Sequence, residues 1–387
     1  MNMNFKTTSL AAAVSAALCA NAWALDPQSI KLADGIRFTP SLEVSERYDD
    51  NFRANEYNEE SSWITRLSPS FELAVDGDKS AYRLTYLADS DIFHSSHDDD
   101  NTDHHLTGDA GFEFDARNRL VLSAGYHKVE ETATQDQTLE NDKYTTSNIG
   151  GVYTYGARTA RTQFELGANY EELRYQNSNH INADKERDST ALRGTVFYRV
   201  APKTRLLVEA RHTDYDYIDN RNRDSDNIAL LGGVTWDATA KTSGTVKLGG
   251  ERKRFDRSGI SSKSSAMWEA GVKWMPRTYS TFSLDARRGL DEGEETASSI
   301  ESMRTTLGWE HEWSDRLAST VSYSYTDNEY QNYPREDKIK VLGLGLTYQV
   351  RRWLDVGLGY KYAERDSSRD GQSYQRNIYM INFNASL

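Results

Sequence analysis

Three groups of residues have types and spacings that could do chemistry. The segment HSSHDDDNTDHH sets His94, His97, His104 and His105 among Asp98, Asp99, Asp100 and Asp103. Imidazole and carboxylate together are donors for divalent metals. The spacing, however, fits neither a zinc pattern nor a calcium loop with its central Gly and terminal Glu. It reads as a solvated acidic loop tip, with no metal and no cofactor. A second segment, RKRFDRSGISSK, gathers Arg252, Lys253, Arg254, Arg257 and Lys263 around Asp256. A basic loop of this kind suits the phosphates of lipopolysaccharide, or an anionic exit mouth.

The third group is spread along the chain. Arg66, Arg83, Glu165, Arg193, Glu209, Arg211, Glu269, Lys273, Asp285, Arg287, Arg304 and Glu310 occur one or two at a time inside segments that alternate with apolar residues. Arg161, Lys247, Glu72 and Glu251 fall on the same faces. Scattered cations and acids of both signs make a polar, near-neutral lining. They do not make a nucleophile with its base. No G-x-S-x-G or comparable nucleophile motif appears, so no catalytic residue is assigned and the chain does not read as an enzyme.

The elements that must position these residues announce themselves by period two. WITRLSPSFELAV puts Trp63, Leu67, Phe71, Leu73 and Val75 on one face, and the turn DGDK leads into YRLTYLA. The same unit recurs to the end of the chain: about ten alternating residues, a very short turn, about ten more, then a longer polar connection. Counting these units predicts about 18 strands, with 16 as the alternative. A soluble sandwich or propeller also alternates, but neither needs short and long connections in strict alternation. Aromatic residues flank the apolar faces. Phe114, Tyr155, Tyr198, Trp236, Trp274, Trp313 and Tyr348 lie near the turns, and Tyr48, Tyr86, Tyr126, Tyr170, Tyr323 and Tyr360 near the loops. Amphipathic rings at both ends of an apolar band are what two membrane interfaces select. The expectation is an all-β transmembrane antiparallel barrel with both termini in the periplasm.

Composition agrees. The chain has 387 residues and a formal charge of −13, only 37% hydrophobic residues, and 23 Tyr, 12 Phe and 8 Trp. Its mean hydropathy of −0.76 excludes a helical membrane protein. The aromatic content excludes a disordered chain, and the charge argues against nucleic acid. Residues 1–24 read as a signal peptide. Lys6 precedes an apolar run, and Ala22-Trp23-Ala24 is a cleavage pattern, placing the cut after Ala24. Cys19, the single cysteine, would leave with it. Residues 25–35 then form a short periplasmic segment and 36–387 the barrel, in the outer membrane of a Gram-negative bacterium. The alternation of Tyr379, Ile381, Phe383, Ala385 and Leu387 marks a closing strand whose apolar side faces lipid. That ending resembles the terminal signal read by the barrel assembly machinery, although Leu387 stands where Phe or Trp is usual.

One family resemblance rests on the first strands. PSLEVSERYDDNFRANEYNEESSWITRLSPSFEL, then YRLTYLADSDIF and DDDNTDHHL, resemble the start of the β-barrel porins found with exopolysaccharide clusters, the VpsM-like outer-membrane proteins. The matching elements are Pro40, Tyr48 to Asn51, Trp63-Ile64, Pro69, Tyr86 and Asp98 to His105, within residues 36–106. The resemblance implies a conduit for an exopolysaccharide or capsular polysaccharide chain, working with a periplasmic polysaccharide-export protein. Two readings stand beside it: a general diffusion porin for small solutes, and a surface interaction barrel that displays acidic loops.

Overall fold

The computed structural model describes residues 29–386 apart from 135–139, 240, 258 and 295. The proposed signal peptide, its cleavage site and Leu387 lie outside the described residues. A short strand β1 (Ile30–Ala33) comes first. It is followed by β2 (Ile36–Asp49), β3 (Ser62–Asp76), β4 (Ser80–Phe93), β5 (Asn101–Glu113), β6 (Asn118–Glu131) and β7 (Asp142–Tyr155). Next come β8 (Thr162–Tyr175), β9 (Arg187–Ala201), β10 (Thr204–Tyr217), β11 (Ser225–Thr239), β12 (Thr242–Phe255) and β13 (Lys263–Arg277). The last six are β14 (Ser280–Glu292), β15 (Ser299–Ser314), β16 (Leu317–Gln331), β17 (Glu336–Arg351), β18 (Leu354–Ser367) and β19 (Tyr374–Ser386).

From β2 onward each strand pairs antiparallel with the next, and β19 returns to β2, from Ile378 opposite Asp49 to Ser386 opposite Ser41. The result is a closed barrel of 18 strands, since β1 only folds back on β2 through Asp34 and Gly35. Gly35 has φ +75°, which a hairpin this tight demands and a side chain would resist. Closure is what lets a sheet sit in hydrocarbon, because no strand keeps an unpaired row of N–H and C=O groups there.

Strands of 13–16 residues exceed the roughly 9–11 needed to cross a bilayer, so their ends project beyond the membrane. The wall is polarised across its thickness. Leu248 is 64% exposed while Lys247 beside it is sheltered, an arrangement fit for lipid outside and water inside. At the turn end Trp274, Phe282 and Trp309 form a row across β13, β14 and β15 with ring spacings of 5.2 and 6.0 Å. At the loop end Tyr48 meets Trp63 at 5.3 Å and Tyr360 meets Tyr379 at 5.2 Å. These rows lie where the alternation places two interfacial belts.

One hairpin leaves the cylinder. Pairing of β13 with β14 stops at Trp268 opposite Arg288, while β14 and β15 stay paired up to Glu292 opposite Ser299. The tip of the β14–β15 hairpin is thus released from the wall on its β13 side.

Candidate functional site

The candidate site is the inner wall. Its first charged sector lies on β2 to β4. Arg66 binds Asp91 with both guanidinium edges, Nε to Oδ1 and Nη2 to Oδ2 at 2.6 Å each, and Arg47 reaches the same carboxylate at 2.5 Å. Arg83 faces Glu72 at 3.3 Å. Across the closing seam, Arg376 on β19 donates Nε to the buried Asp49 on β2 at 2.8 Å. Arg66–Asp91, Arg83–Glu72 and Arg376–Asp49 join neighbouring strands, and Arg47 reaches from β2 over β3 to Asp91 on β4, so the charges knit the wall in register.

The second sector lies on β10 to β13. Arg211 donates to Glu209 at 2.6 Å and to both oxygens of Glu269, at 2.6 and 2.8 Å. Lys247 bridges Glu209 and Glu269 at 3.2 Å each, and Thr195 donates to Glu209 at 3.1 Å. Two cations and two carboxylates cancel. This compensation is what makes a buried Glu209, only 3% exposed, affordable.

The other expected residues are placed as follows. Glu165 accepts from Thr154 at 3.5 Å, Arg287 pairs with Asp291, and Arg304 donates to Thr326 at 3.3 Å. Arg193, Lys273, Asp285 and Glu310 make no ion pair among the described residues. Arg161 departs from expectation. It precedes β8, and its guanidinium lies 5.0 Å from the ring of Tyr198, an exposed aromatic of the turn-end belt.

The basic loop also needs correction. Arg252, Lys253 and Arg254 belong to β12, and Lys263 opens β13, so only Arg257 lies on the connection itself. The strands simply run on past the membrane surface. Lys253 is 1% exposed, pairs with Glu292, and lies 4.4 Å from the Tyr215 ring. Arg254 pairs with Asp226 at 3.0 Å, and Lys263 with Glu301 at 3.6 Å. Lys253, Arg254 and Lys263 are thus each paired with an acid and Arg252 donates to Ser262 at 2.9 Å, so the set is not one cationic surface.

The histidine and aspartate segment is dispersed as well. Asp99 is buried and takes hydrogen bonds from Arg53 at 2.6 Å and Ser96 at 2.5 Å, while Asp100 accepts from the Phe93 amide at 2.6 Å. His104 meets the Tyr86 hydroxyl at 2.8 Å, and His105 meets His127 at 2.9 Å. Asp99 and Asp100 shape the β4–β5 loop, while His104 and His105 stand on β5 and reach across to β4 and β6. Among the described residues no three His, Cys, Asp or Glu converge as metal donors.

The released β14–β15 tip reaches inward. Tyr217 donates to Glu292 at 2.8 Å, the Leu290 amide donates to Glu251 at 2.6 Å, and Arg223 from the β10–β11 loop donates to the Gly293 carbonyl. Ala297 and Ile300 pack against Tyr330 on β16. Burial raises the Glu294 carboxyl above its ordinary range. The nearby charges are Arg335, Lys185 and Arg365, which oppose the rise, and Asp337, which adds to it. These partners come from loops and strand ends on several sides of the mouth, so the tip narrows the loop end. Alternation within single strands carries no sign of it, because the tip is placed by contacts between distant loops.

Comparison with known proteins follows this geometry. The family model described as Putative beta-barrel porin 2 matches residues 36–387. No curated protein matches. Among solved structures, OccK2 (OpdF) of Pseudomonas aeruginosa is 11% identical with a TM-score of 0.50, covering 92% of this chain and 98% of that one. OccAB4 of Acinetobacter baumannii is 12% identical with a TM-score of 0.49, covering 93% and 99%. The siderophore receptor PirA of Pseudomonas aeruginosa is 11% identical with a TM-score of 0.47, covering 90% and 80%. The chain is similar to these in fold.

These findings correct the expectation of polysaccharide export. The matching family is described as one of porins, so neither a polysaccharide chain nor a periplasmic export protein stands as a partner. The geometry supplies the physical reason. The proposed lining arginines Arg66 and Arg83 are engaged by carboxylates of their own wall and are not presented to a chain sliding through the lumen.

Proposed function

We propose that this chain, which belongs to the family described as Putative beta-barrel porin 2, is a porin that passes small hydrophilic solutes across the outer membrane. One observation carries the reading: a closed wall of 18 strands whose outer face is apolar and whose inner face is charged. A barrel of that size is wide enough for water and solutes inside. Arg66, Arg83, Glu165, Arg193, Glu209, Arg211, Glu269, Lys273, Asp285, Arg287, Arg304 and Glu310 are its proposed lining. The narrower kinship to the VpsM-like branch, supported by residues 36–106, is a proposal about descent and assigns no cargo. The loop end faces outward and the turn end faces the periplasm. On that orientation, cysteines at the exposed Asp98 and Arg257 label on intact cells, whereas those at Lys203 and Asp315 do not.

The test of the function is swelling of proteoliposomes carrying the purified barrel, using neutral sugars of increasing size. Small sugars should enter quickly and large ones slowly. Vesicles as tight as protein-free controls to every sugar would end the porin reading in favour of a barrel that only displays its loops.

A further inference from the structure

The charge networks leave one cationic cluster outside them. Arg119 on β6, Arg199 on β9 and Arg205 on β10 converge at the turn end, on the turn that joins β7 to β8. Arg119 donates to the Gly156 carbonyl at 3.3 Å, Arg205 to the Arg158 carbonyl at 3.0 Å, and Arg199 to that same carbonyl. Arg205 also donates to the Gln163 side chain, which is itself held by the Ala157 carbonyl at 2.7 Å.

None of the three forms a salt bridge among the described residues. Glu113 is the cross-strand neighbour of Arg119 and does not reach it, and Glu165 acts on Arg205 only through its field. Arg199 and Arg205 are direct cross-strand partners, a like-charge placement that a sheet normally avoids. Nη1 of Arg119 and Nε of Arg199 are buried and lack any hydrogen-bond partner. All three alternate with the lipid face, marked by the exposed Leu122 and Tyr126 on β6, Tyr198 on β9 and Leu206 on β10, so they stand on the inner face.

Where guanidiniums gather elsewhere in this wall, carboxylates neutralise them, as Asp91 does for Arg47 and Arg66 and Glu209 and Glu269 do for Arg211. Here it supplies only carbonyl and amide oxygens, which position the guanidiniums and leave their charge. Forked donors with spare N–H groups and uncancelled charge are what an oxyanion requires. We infer that Arg119, Arg199 and Arg205 form an anion-binding station at the periplasmic mouth, taking small carboxylate- or phosphate-bearing solutes. This rests on the porin reading for its role in transport, but the site itself is a binding site.

Two measurements test it. In planar bilayers under a KCl gradient, the wild-type barrel should favour chloride, and R119Q/R199Q/R205Q should lower the chloride-to-potassium permeability ratio several-fold. The exposed loop variant R257Q should leave the ratio unchanged. With detergent-folded barrel, inorganic phosphate and succinate titrated separately should broaden phosphorus and proton signals respectively. The triple variant should lose the broadening, and the probe affected more strongly identifies the preferred oxyanion. Gln removes the charge but stays polar on the inner face and changes no lipid contact, so the variant should retain its heat-modifiable band. A barrel that binds phosphate or succinate without conducting ends the porin reading and keeps the station. Selectivity and binding unchanged in the folded triple variant overturn the station, even if the barrel conducts.

Discussion

Two sectors of the wall share ladder, strand length and lipid face, yet differ inside. From β9 to β14 the inner face carries Arg193, Arg199, Arg205, Glu209, Arg211, Lys247, Glu269, Asp285 and Arg287. From β16 to β18 its middle carries Thr320, Ser322, Ser324, Gly343, Gly345, Thr347, Gly357 and Gly359, a small and uncharged stretch flanked on β18 by Asp355 and Lys361. Lipid demands the same of both outer faces, and only the interior has been free to diverge. The charged sector binds and stiffens, while the smooth sector leaves room. What solutes meet is therefore set by inner positions that contribute little to membrane insertion.

The largest expected effect breaks the charged sector from within. Glu209→Ala leaves Arg211 and Lys247 facing each other with one carboxylate between them, and breaking a buried pair of this kind costs about 3–5 kcal/mol. Denaturant unfolding of the folded barrel should show that loss. Ser324→Ala in the smooth sector gives up one hydrogen bond to Thr306, worth about 1 kcal/mol or less. Equal losses at the two sites would mean that the charge network contributes no more than an ordinary polar contact.

The next effect tests the face both sectors share. Phe383 on β19 is exposed to lipid, and Phe383→Arg near the midplane costs about 2–4 kcal/mol. Asn382, one residue away, faces inward opposite Gly357, so Asn382→Arg should be far milder. Assembly yield of the heat-modifiable form compares them. Similar yields would place the strand one residue out of register.

A smaller effect on stability, with a clear one on passage, comes from filling the smooth sector. Thr320→Trp on β16 adds a large side chain on the inner face opposite Glu310. Single-channel conductance should fall while the unfolding midpoint hardly moves. Conductance unchanged by this bulk would mean that solutes do not pass along the smooth wall.

The barrel was legible because alternation is local. A strand such as β3 shows its lipid face by Trp63, Leu67 and Phe71 without reference to any neighbour. Eight short turns and nine longer loops follow from where alternation breaks, and the structure has them. What alternation hides is everything set between strands. Nothing in β12 alone shows that Lys253 is buried against Glu292 from β14. Nor does β9 alone show that Arg199 faces Arg205, or β3 that Arg66 shares Asp91 with Arg47. The basic segment misled for a related reason. Strands outrun the membrane, so a polar stretch near a loop can still be wall.

The smallest expected effect concerns the in-folded tip, which lies over both sectors. Glu294 sits on that tip outside the membrane, and burial is the largest influence on its carboxyl, raising its pKa. A raised folded-state pKa means that the folded tip binds the proton more tightly than the released tip. Seating of the tip is therefore favoured most fully below the ordinary carboxylate range, and that advantage fades as pH rises through the raised value. Arg335, Lys185 and Arg365 oppose the shift and Asp337 adds to it, so the net change is that of one partly compensated group. As pH falls, single-channel conductance should decline modestly as the tip seats, and recover on return to neutral pH. Glu294→Gln holds the position permanently neutral, so its conductance should stay near the wild-type acidic level at every pH in that window. The lining groups titrate in both proteins, so the comparison isolates Glu294. A variant that keeps the full wild-type pH dependence would remove the tip from control of the mouth and leave the two wall sectors to set passage alone.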